Sequence, residues 1–164
     1  MYSRVTDIAL GFKYSEEFNV ILCSSCKLGI VDRGSLGDHI NSRHKELDKE
    51  DVKIIKEFTE GLEFRAYKDI ELPAFYKHNF KDLDRSERGY TCLACKRYAT
   101  TSYKRLRQHL NKEHDIKSSK SDKGLSLRPY FKENQALQTF FRGNHLRHFA
   151  IGAEEKEGEQ GDKK

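Results

Sequence analysis

The spacing of apolar residues divides the chain into short segments rather than one long core-forming stretch. Val52, Ile55 and Phe58 recur at helical spacing, and acidic residues crowd the first turn of this segment. The pattern predicts an amphipathic helix over 48–60, and Gly61 is placed to end it.

The two ends of the chain differ in their apolar content. Residues 1–17 are predicted to be a poorly specified lead-in, with one short strand or helix around 8–10. Residues 125–151 are rich in apolar and aromatic side chains, and we expect them to pack on the second half of the chain or on its middle. These side chains are Leu125, Leu127, Tyr130, Phe131, Leu137, Phe140, Phe141, Leu146, Phe149 and Ile151. Residues 153–164 form a charged tail without core-forming residues, which predicts disorder.

All four cysteines and four of the seven histidines lie in two copies of one spacing pattern. The first copy reads C-x2-C-x12-H-x4-H and the second reads C-x2-C-x13-H-x4-H. The candidate metal ligands are Cys23, Cys26, His39 and His44 in the first copy, and Cys92, Cys95, His109 and His114 in the second. Two thiolates and two imidazoles fill a tetrahedral zinc site and leave no position for water, so the sequence predicts two structural Zn²⁺ ions.

The alternatives to metal binding are free thiols and disulfides. The first residues of the chain lack the basic-then-apolar layout of a secretory signal, which disfavours disulfides. Three histidines remain outside the repeated pattern. His145 and His148 lie three apart, but no cysteine is left to complete a site, so we interpret them as surface or packing residues. His78 has no partner that the sequence identifies.

Apolar residues flank the ligands in both copies as they would in a small ββα unit. Ile21, Ile30 and Leu36 do so in the first copy, and Tyr90 and Leu106 do so in the second. The five-residue separation of the histidines slightly exceeds one helical turn, so the last turn must tighten or loosen. The predicted fold class is a small α+β zinc-stapled protein with two C2H2-type ββα fingers, a helical connector and a C-terminal aromatic segment.

These elements define six segments. They are the lead-in at 1–17, the first C2H2-type zinc finger at 18–46, the helical connector at 47–84, the second C2H2-type zinc finger at 85–116, the linker and aromatic packing segment at 117–152, and the charged tail at 153–164. Tandem DNA-reading fingers follow each other through short linkers that keep them in register along the groove. The connector is much longer, so the two fingers are not expected to form a simple tandem array.

Composition agrees with small units that are held together by metal. Of the 164 residues, 36% are hydrophobic and 35% are charged, and tryptophan is absent. Units of finger size bury too little apolar surface to be stable without a bound metal ion. No apolar run approaches the ~20 residues that span a bilayer. We therefore expect a soluble nuclear or cytoplasmic protein without a membrane partner.

The sequence does not predict an enzyme. It contains no phosphate-binding loop, nucleophile elbow or paired-carboxylate motif. Neither a catalytic residue nor a small-molecule substrate is therefore expected.

Several short motifs carry a resemblance to a known family. They are ILCSSC at 21–26, LGDHINSRH at 36–44, YTCLAC at 90–95, LQTFF at 137–141 and FAI at 149–151. Over about residues 18–152 the layout resembles a fungal domain with two degenerate C2H2 fingers, typified by the D protein of orsellinic-acid biosynthesis clusters. The resemblance implies a zinc-binding module and adds architecture rather than a defined biochemical activity.

The first predicted finger is a poor candidate for reading DNA. Counting back from its first histidine, Asp32, Ser35 and Asp38 occupy the positions that contact bases in finger–DNA complexes. Two carboxylates would then face a groove lined with phosphates, and no arginine or lysine would reach a guanine. A structural or protein-facing role is therefore expected for this finger.

The second predicted finger is strongly basic. From 88 to 120, nine Lys/Arg residues stand against two Asp/Glu residues, a net charge of +7. The candidate nucleic-acid-binding residues are Lys96, Arg97, Lys104, Arg105, Arg107, Gln108 and Lys112. Ser102, Arg105 and Gln108 occupy the base-contact positions, where the arginine could contact guanine and the glutamine adenine. DNA or RNA binding through this finger is the leading hypothesis.

A basic finger helix can also be a solvated surface with no nucleic-acid partner. The alternative is a protein–protein interaction module in which the connector and residues 137–141 supply the contact and the fingers are only scaffold. A third possibility, that the chain is part of a larger system whose activity lies elsewhere, also stays open at this point.

Overall fold

Two antiparallel four-stranded sheets form the framework of the computed structural model, which describes residues 5–152. The strands are β1 (Val5–Ala9), β2 (Phe12–Ser15), β3 (Val20–Cys23), β4 (Leu28–Ile30), β5 (Ser86–Cys92), β6 (Ala99–Thr100), β7 (Phe131–Thr139) and β8 (His148–Ala150). The helices are α1 (Arg33–Arg43), α2 (Lys49–Thr59) and α3 (Tyr103–His114). The strand order is β1-β2-β3-β4 in the first sheet and β6-β5-β7-β8 in the second. The protein is thus a small α+β structure, as the sequence predicts.

The N-terminal segment contributes two strands to the first sheet. We expected a poorly specified lead-in with one short element, whereas β1 and β2 form a hairpin that pairs with β3. Leu10 and Gly11 connect the two strands with φ of 53° and 85°, the left-handed backbone that a tight two-residue hairpin requires. Phe12 and Tyr14 of β2 are buried, which anchors the hairpin on its neighbours. Residues 1–4 of the predicted lead-in lie outside the described residues.

The aromatic segment near the C-terminus extends the second sheet. We expected it to pack on the second predicted finger or on the connector, and β7 pairs along β5 while β8 pairs with β7. The edge strands β6 and β8 also approach each other, so the sheet curls around Leu137. The charged tail predicted at 153–164 lies outside the described residues.

A shared core joins the two sheets. It consists of Phe18, Val20, Leu22, Val31, Ile70, Phe80, Leu83, Phe140, Phe141, Phe149 and Ile151. These side chains come from the first sheet, from the connector and from the C-terminal segment. The two halves of the molecule therefore share one packed interior rather than standing apart on a linker.

The connector begins with the predicted amphipathic helix. Asp48 caps α2 and forms a reciprocal capping box with Asp51, which explains why the helix begins at residue 49. Ile55 is fully buried beneath the first sheet, whereas Ile54 and Phe58 remain 45% and 43% exposed. Within residues 5–152, none of the helices has the length and apolar character needed to cross a membrane.

Candidate metal centres

The first cluster, which consists of Cys23, Cys26, His39 and His44, forms where β3, β4 and α1 meet. Cys23 ends β3, and the N–H of Lys27 donates to its carbonyl oxygen at 2.8 Å, so the chain turns tightly and brings Cys26 back beside it. His39 lies within α1, whereas His44 is its C-cap residue with φ of −124°. Because the backbone leaves the helix there, the second imidazole can reach back to the first.

The donor atoms of the first cluster have the separations of a tetrahedral site. The Nε2 atom of His44 lies 3.3 Å from the Sγ atom of Cys23, 3.5 Å from that of Cys26 and 3.1 Å from the Nε2 atom of His39. A tetrahedral ion with Zn–S bonds of about 2.3 Å and Zn–N bonds of about 2.0–2.1 Å separates its ligand atoms by roughly 3.3–3.8 Å. The residues present therefore fit a zinc ion.

The second cluster, which consists of Cys92, Cys95, His109 and His114, repeats this geometry where β5, β6 and α3 meet. The Sγ–Nε2 distances are 3.5 Å for Cys92 with His114 and for Cys95 with His109, and the two Nε2 atoms lie 3.2 Å apart. In both clusters the donor atoms all lie within 4.8 Å of one another, and the four cysteines are free thiols. Both groups could therefore bind a metal ion.

The end of α3 loosens to bring its two histidines together. Asp115 caps the helix in the left-handed region, with φ of 53°, and its N–H reaches both Leu110 and Asn111 carbonyl oxygens. The N–H of Ile116 also bonds back to Leu110 at 3.0 Å, which closes the helix end. This widened last turn is the adjustment that the five-residue histidine spacing requires.

Burial favours the neutral form of one thiol and one imidazole in each cluster. It raises the pKa of the Cys23 thiol to about 11 and also raises that of Cys92. Burial, followed by the charge of the neighbouring cluster histidine, lowers the pKa of His39 and of His109. A metal ion therefore meets imidazoles that are ready to bind and thiols from which it must displace protons.

Neighbouring side chains orient the histidine ligands. The Nδ1 atom of His44 lies 3.2 Å from a carboxylate oxygen of Glu46, so its Nε2 atom is the one left for a metal. In the second cluster, the ring of Tyr98 stacks on His109 at 3.9 Å with an interplanar angle of 8°. Sequence reasoning missed Glu46, although an acidic residue two positions after a candidate histidine was a usable signal.

Distant parts of the chain brace the turn between Cys23 and Cys26. The Ser24 hydroxyl donates to the Asp82 carboxylate at 2.7 Å, and the Arg142 guanidinium donates to the Cys26 carbonyl oxygen at 3.1 Å. These contacts join the first cluster to the connector and to the segment after β7. No local sequence pattern predicts them, because the partners lie 58 and 116 residues apart.

The remaining histidines take no part in either cluster. His145 stacks on Tyr67 at 3.9 Å with an interplanar angle of 4°, and His148 is half-buried in β8. The Nε2 atom of His78 lies 3.4 Å from a carboxylate oxygen of Glu17. Within residues 5–152, the groups of side chains able to hold a metal are the two Cys2His2 clusters.

All seven candidate nucleic-acid-binding residues are exposed. Lys96 and Arg97 lie in the turn after Cys95, and the other five lie on α3. Ser102, the remaining base-contact position of this predicted finger, caps α3 by accepting a hydrogen bond from the N–H of Arg105.

The start of α1 makes hydrogen bonds within the protein, although Asp32 and Arg33 are exposed. Asp32 caps α1 by accepting hydrogen bonds from the N–H and hydroxyl of Ser35. Arg33 donates to the carbonyl oxygens of Thr59 and Glu60 at the end of α2. The start of α1 therefore packs against the connector helix.

Two Cys2His2 clusters on an α+β framework define a small protein with a double zinc-finger-like domain. The family model of the Orsellinic acid/F9775 biosynthesis cluster protein D matches residues 10–115, a range that contains both clusters and the connector. The match covers more than half of the chain, so the chain belongs to this family, and the resemblance read from the sequence is confirmed. No curated protein and no solved structure matches the chain significantly. The LQTFF motif at 137–141 lies outside the matched range.

Proposed function

We propose that this protein is a zinc-binding module with two structural C2H2-type fingers, and that it contacts nucleic acid through the basic residues of the second finger. The metal assignment concerns the two Cys2His2 clusters, and the surface assignment concerns the basic residues of the second finger. Each rests on different residues and is tested separately.

The metal assignment rests on the donor set and its geometry. Two thiolates and two imidazoles in a closed tetrahedron are the usual ligands of structural zinc, and thiolates disfavour hard cations such as Mg²⁺ and Ca²⁺. At each cluster two antiparallel strands precede a helix that positions both histidines, which is the element order of a C2H2 finger. Four protein ligands leave no open position for water, so we expect the ions to stabilise the fold rather than to take part in catalysis.

Metal content gives the test of this assignment. Native mass spectrometry of the purified protein should give two zinc ions per chain, and one ion should disappear in Cys23→Ser and in Cys92→Ser. Two ions retained in either variant would contradict the assignment of that cluster.

The surface assignment rests on the exposed cations of α3. Lys104, Arg105 and Arg107 are exposed, and within residues 5–152 none of them forms a salt bridge with a carboxylate. Unpaired cations on one helix can neutralise several phosphates, which gives binding that weakens steeply as salt rises. This basic face of Lys104, Arg105 and Arg107 is the observation that favours nucleic acid over other partners.

Fluorescence anisotropy of labelled DNA and RNA tests the surface assignment. The zinc-loaded protein should bind both at about 50 mM salt and weaken strongly by about 200 mM. Replacing Lys104, Arg105 and Arg107 by alanine should abolish binding. A matched control replaces three exposed cations on the connector, Lys49, Lys53 and Lys56, and should leave binding almost unchanged. Equal losses in both triple variants would show that only total charge matters and would contradict the proposal.

A protein partner is the second candidate, and one observation favours it. Ile54 and Phe58 lie four residues apart on α2 and are both about half exposed, so they form an apolar spot on the connector. The other contact expected for this alternative is not available, because Leu137, Phe140 and Phe141 are buried inside the protein. Self-association or partner binding that Ile54→Ser with Phe58→Ser removes would favour this candidate.

A further inference from the structure

A cavity of about 630 Å³ opens beside the second predicted finger, between α3 and the segment that follows it. Tyr103, Ile116 and Leu127 form its apolar part, and Leu127 is almost fully buried. Its volume falls in the range of about 300–1,000 Å³ that is usual for pockets that bind organic ligands. Neither metal cluster accounts for this cavity, because none of the eight candidate ligands lines it.

The rim of the cavity is cationic. Lys104, Arg107 and Lys117 line it together with the side-chain amides of Gln108 and Asn111, and no carboxylate is among its lining residues. An apolar and aromatic floor beneath a cationic rim suits a flat, weakly polar group that is attached to an anion. The amides can hydrogen-bond the polar edge of such a group.

One of these cations has an acidic neighbour outside the cavity. The ammonium of Lys117 lies 3.5 Å from a carboxylate oxygen of Asp115, and the two side chains are 71% and 89% exposed. An ion pair this exposed contributes little to stability, so Lys117 can readily leave the carboxylate of Asp115 and pair with a phosphate instead.

The surroundings of α3 disfavour its insertion into duplex DNA. The segment through Ile116 and Leu127 lies along one side of the helix, where it forms the far wall of the cavity. On another side, the helix packs against β5 and β6. The major groove, about 12 Å wide, admits an α-helix, but the additional segment through Ile116 and Leu127 widens what would have to enter with α3.

We infer that this cavity binds an unstacked base of a single-stranded nucleic acid, with the adjoining phosphates on Lys104, Arg107 and Lys117. The inference rests on the proposed function and narrows it to single strands. Single-strand-binding surfaces commonly combine a basic groove with a site where a base stacks on an aromatic side chain. Here the three cations supply the groove, and Tyr103 supplies the aromatic wall.

The decisive comparison uses one labelled single strand of about 15 nucleotides, as DNA and as RNA, and its duplex. The zinc-loaded full-length protein should bind the single strands at least about fivefold more tightly than the duplex at equal salt, a margin that one stacked base supplies. Asn111→Met extends an apolar, non-aromatic side chain into the rim of the cavity from an exposed helix position, and should reduce this preference without changing the charge on which duplex binding depends.

A charge-matched pair of variants distinguishes binding in the cavity from general electrostatic attraction between the protein surface and nucleic acid. Lys117→Ala and Lys112→Ala each remove one exposed cation, but only Lys117 lines the cavity. Lys117→Ala should weaken single-strand binding several-fold more than Lys112→Ala does, and the two should weaken duplex binding equally. Zinc content and circular dichroism check that both variants keep the fold.

The outcomes separate this inference from the function on which it rests. Duplex binding that equals or exceeds single-strand binding, or an Asn111→Met variant that keeps the full preference, would overturn the inference and leave nucleic-acid contact standing. Displacement of the single strand by polyglutamate at equal charge would overturn it too, because the cavity would then respond to negative charge alone. Absence of binding to every nucleic acid would overturn the proposed function itself.

Discussion

The N–H of Gly29 donates a hydrogen bond to the carbonyl oxygen of Phe140 at 2.5 Å, and this contact joins the two halves of the molecule. Gly29 lies in β4, three residues after the candidate ligand Cys26, and Phe140 follows β7 of the second sheet. A side chain on residue 29 would begin 2.7 Å from a methyl group of Val20 and 3.0 Å from the Phe140 oxygen. The close approach of the two sheets therefore depends on a glycine at this position.

Gly29→Ala should destabilise the zinc-loaded protein. Its added methyl group would overlap both Val20 and the backbone of Phe140, and overpacking of this kind costs about 1–3 kcal/mol. Gly37→Ala is the matched control, because its methyl group would meet nothing within 4 Å and would lie inside α1. That control should stabilise the protein by about 1 kcal/mol. Urea unfolding measures the change in the free energy of unfolding for both variants. A Gly29→Ala variant as stable as the parent would contradict the close approach of the two sheets at this position.

Loss of the first metal ion should disturb more of the protein than loss of the second. Cys23 ends β3, and the adjacent Leu22 belongs to the shared core. The strand β3 therefore carries both a candidate metal ligand and part of the shared core. Cys92 packs in a separate apolar cluster with Leu106 and Leu110 of α3. We therefore expect Cys23→Ser to loosen the first sheet and the shared core, and Cys92→Ser to loosen mainly α3 and its surroundings.

Hydrogen exchange followed by mass spectrometry measures this difference. In Cys23→Ser, amides around Phe149 should exchange faster along with those of the first sheet. In Cys92→Ser, amides of β1 to β4 should keep their protection. If faster amide exchange extended over equally large parts of the protein in both variants, the two metal sites would not differ in the way expected here.

The metal clusters were readable from the sequence because their ligands are local. Within each copy, Cys and His residues lie at most 22 positions apart, and short turns and one helix suffice to bring them together. Helix α2 was equally readable, since its apolar spacing and its capping residue Asp48 point to the same segment. Local patterns of this kind carry their structural meaning without knowledge of the rest of the fold.

The sheet extensions could not be read in the same way. β5 and β7 pair over a separation of about 40 residues or more, and nothing in either segment specifies the other. β7 also lacks an alternating pattern, because its first half is largely exposed and its second half is buried. The β1–β2 hairpin was hidden for a different reason: its turn begins with Leu10 in the left-handed region, where Asn or Asp is the usual signal.

The affinity of each cluster for zinc should rise with pH. Burial raises the pKa of Cys23 to about 11 and raises that of Cys92, so both thiols hold protons at neutral pH. Burial lowers the pKa of His39 and His109, so these imidazoles are already neutral and release none. Each ion must then displace the proton of the buried thiol in its cluster, and its apparent affinity should increase at least about tenfold per pH unit near neutrality.

Chelator competition at several pH values between 6.5 and 8 measures this slope. Cys92→Ser isolates the first cluster, and Cys23→Ser isolates the second. The sign follows from the thiols: lower pH returns protons to sulfur and releases the ion, whereas higher pH favours the thiolate. An affinity that does not change with pH would mean that the thiols are already ionised without metal, against the effect of their burial.

Gln138→Leu should be strongly destabilising, because this side chain fastens the connector to β7. Its amide nitrogen donates to the carbonyl oxygens of Phe80 and Leu83 at 2.7 and 3.1 Å, and its amide oxygen accepts from the N–H of Phe80 at 2.9 Å. Gln138 is 2% exposed, so leucine would leave the N–H of Phe80 and the carbonyl oxygen of Leu83 without these partners in a place that water does not reach, while the Phe80 carbonyl oxygen would keep only its bond from the N–H of Leu83. Each such loss costs about 1–3 kcal/mol, and we expect a total of at least about 2 kcal/mol.

Gln135→Leu provides the control on the same strand. Gln135 is only half-buried, and its amide oxygen accepts a hydrogen bond from the exposed hydroxyl of Tyr76, which can turn to water when that partner is removed. Its replacement should therefore change the free energy of unfolding by less than about 1 kcal/mol. Thermal and urea unfolding of the zinc-loaded variants measure both effects. If the two variants lost equal stability, the hydrogen bonds of Gln138 would not be what holds the connector against the second sheet.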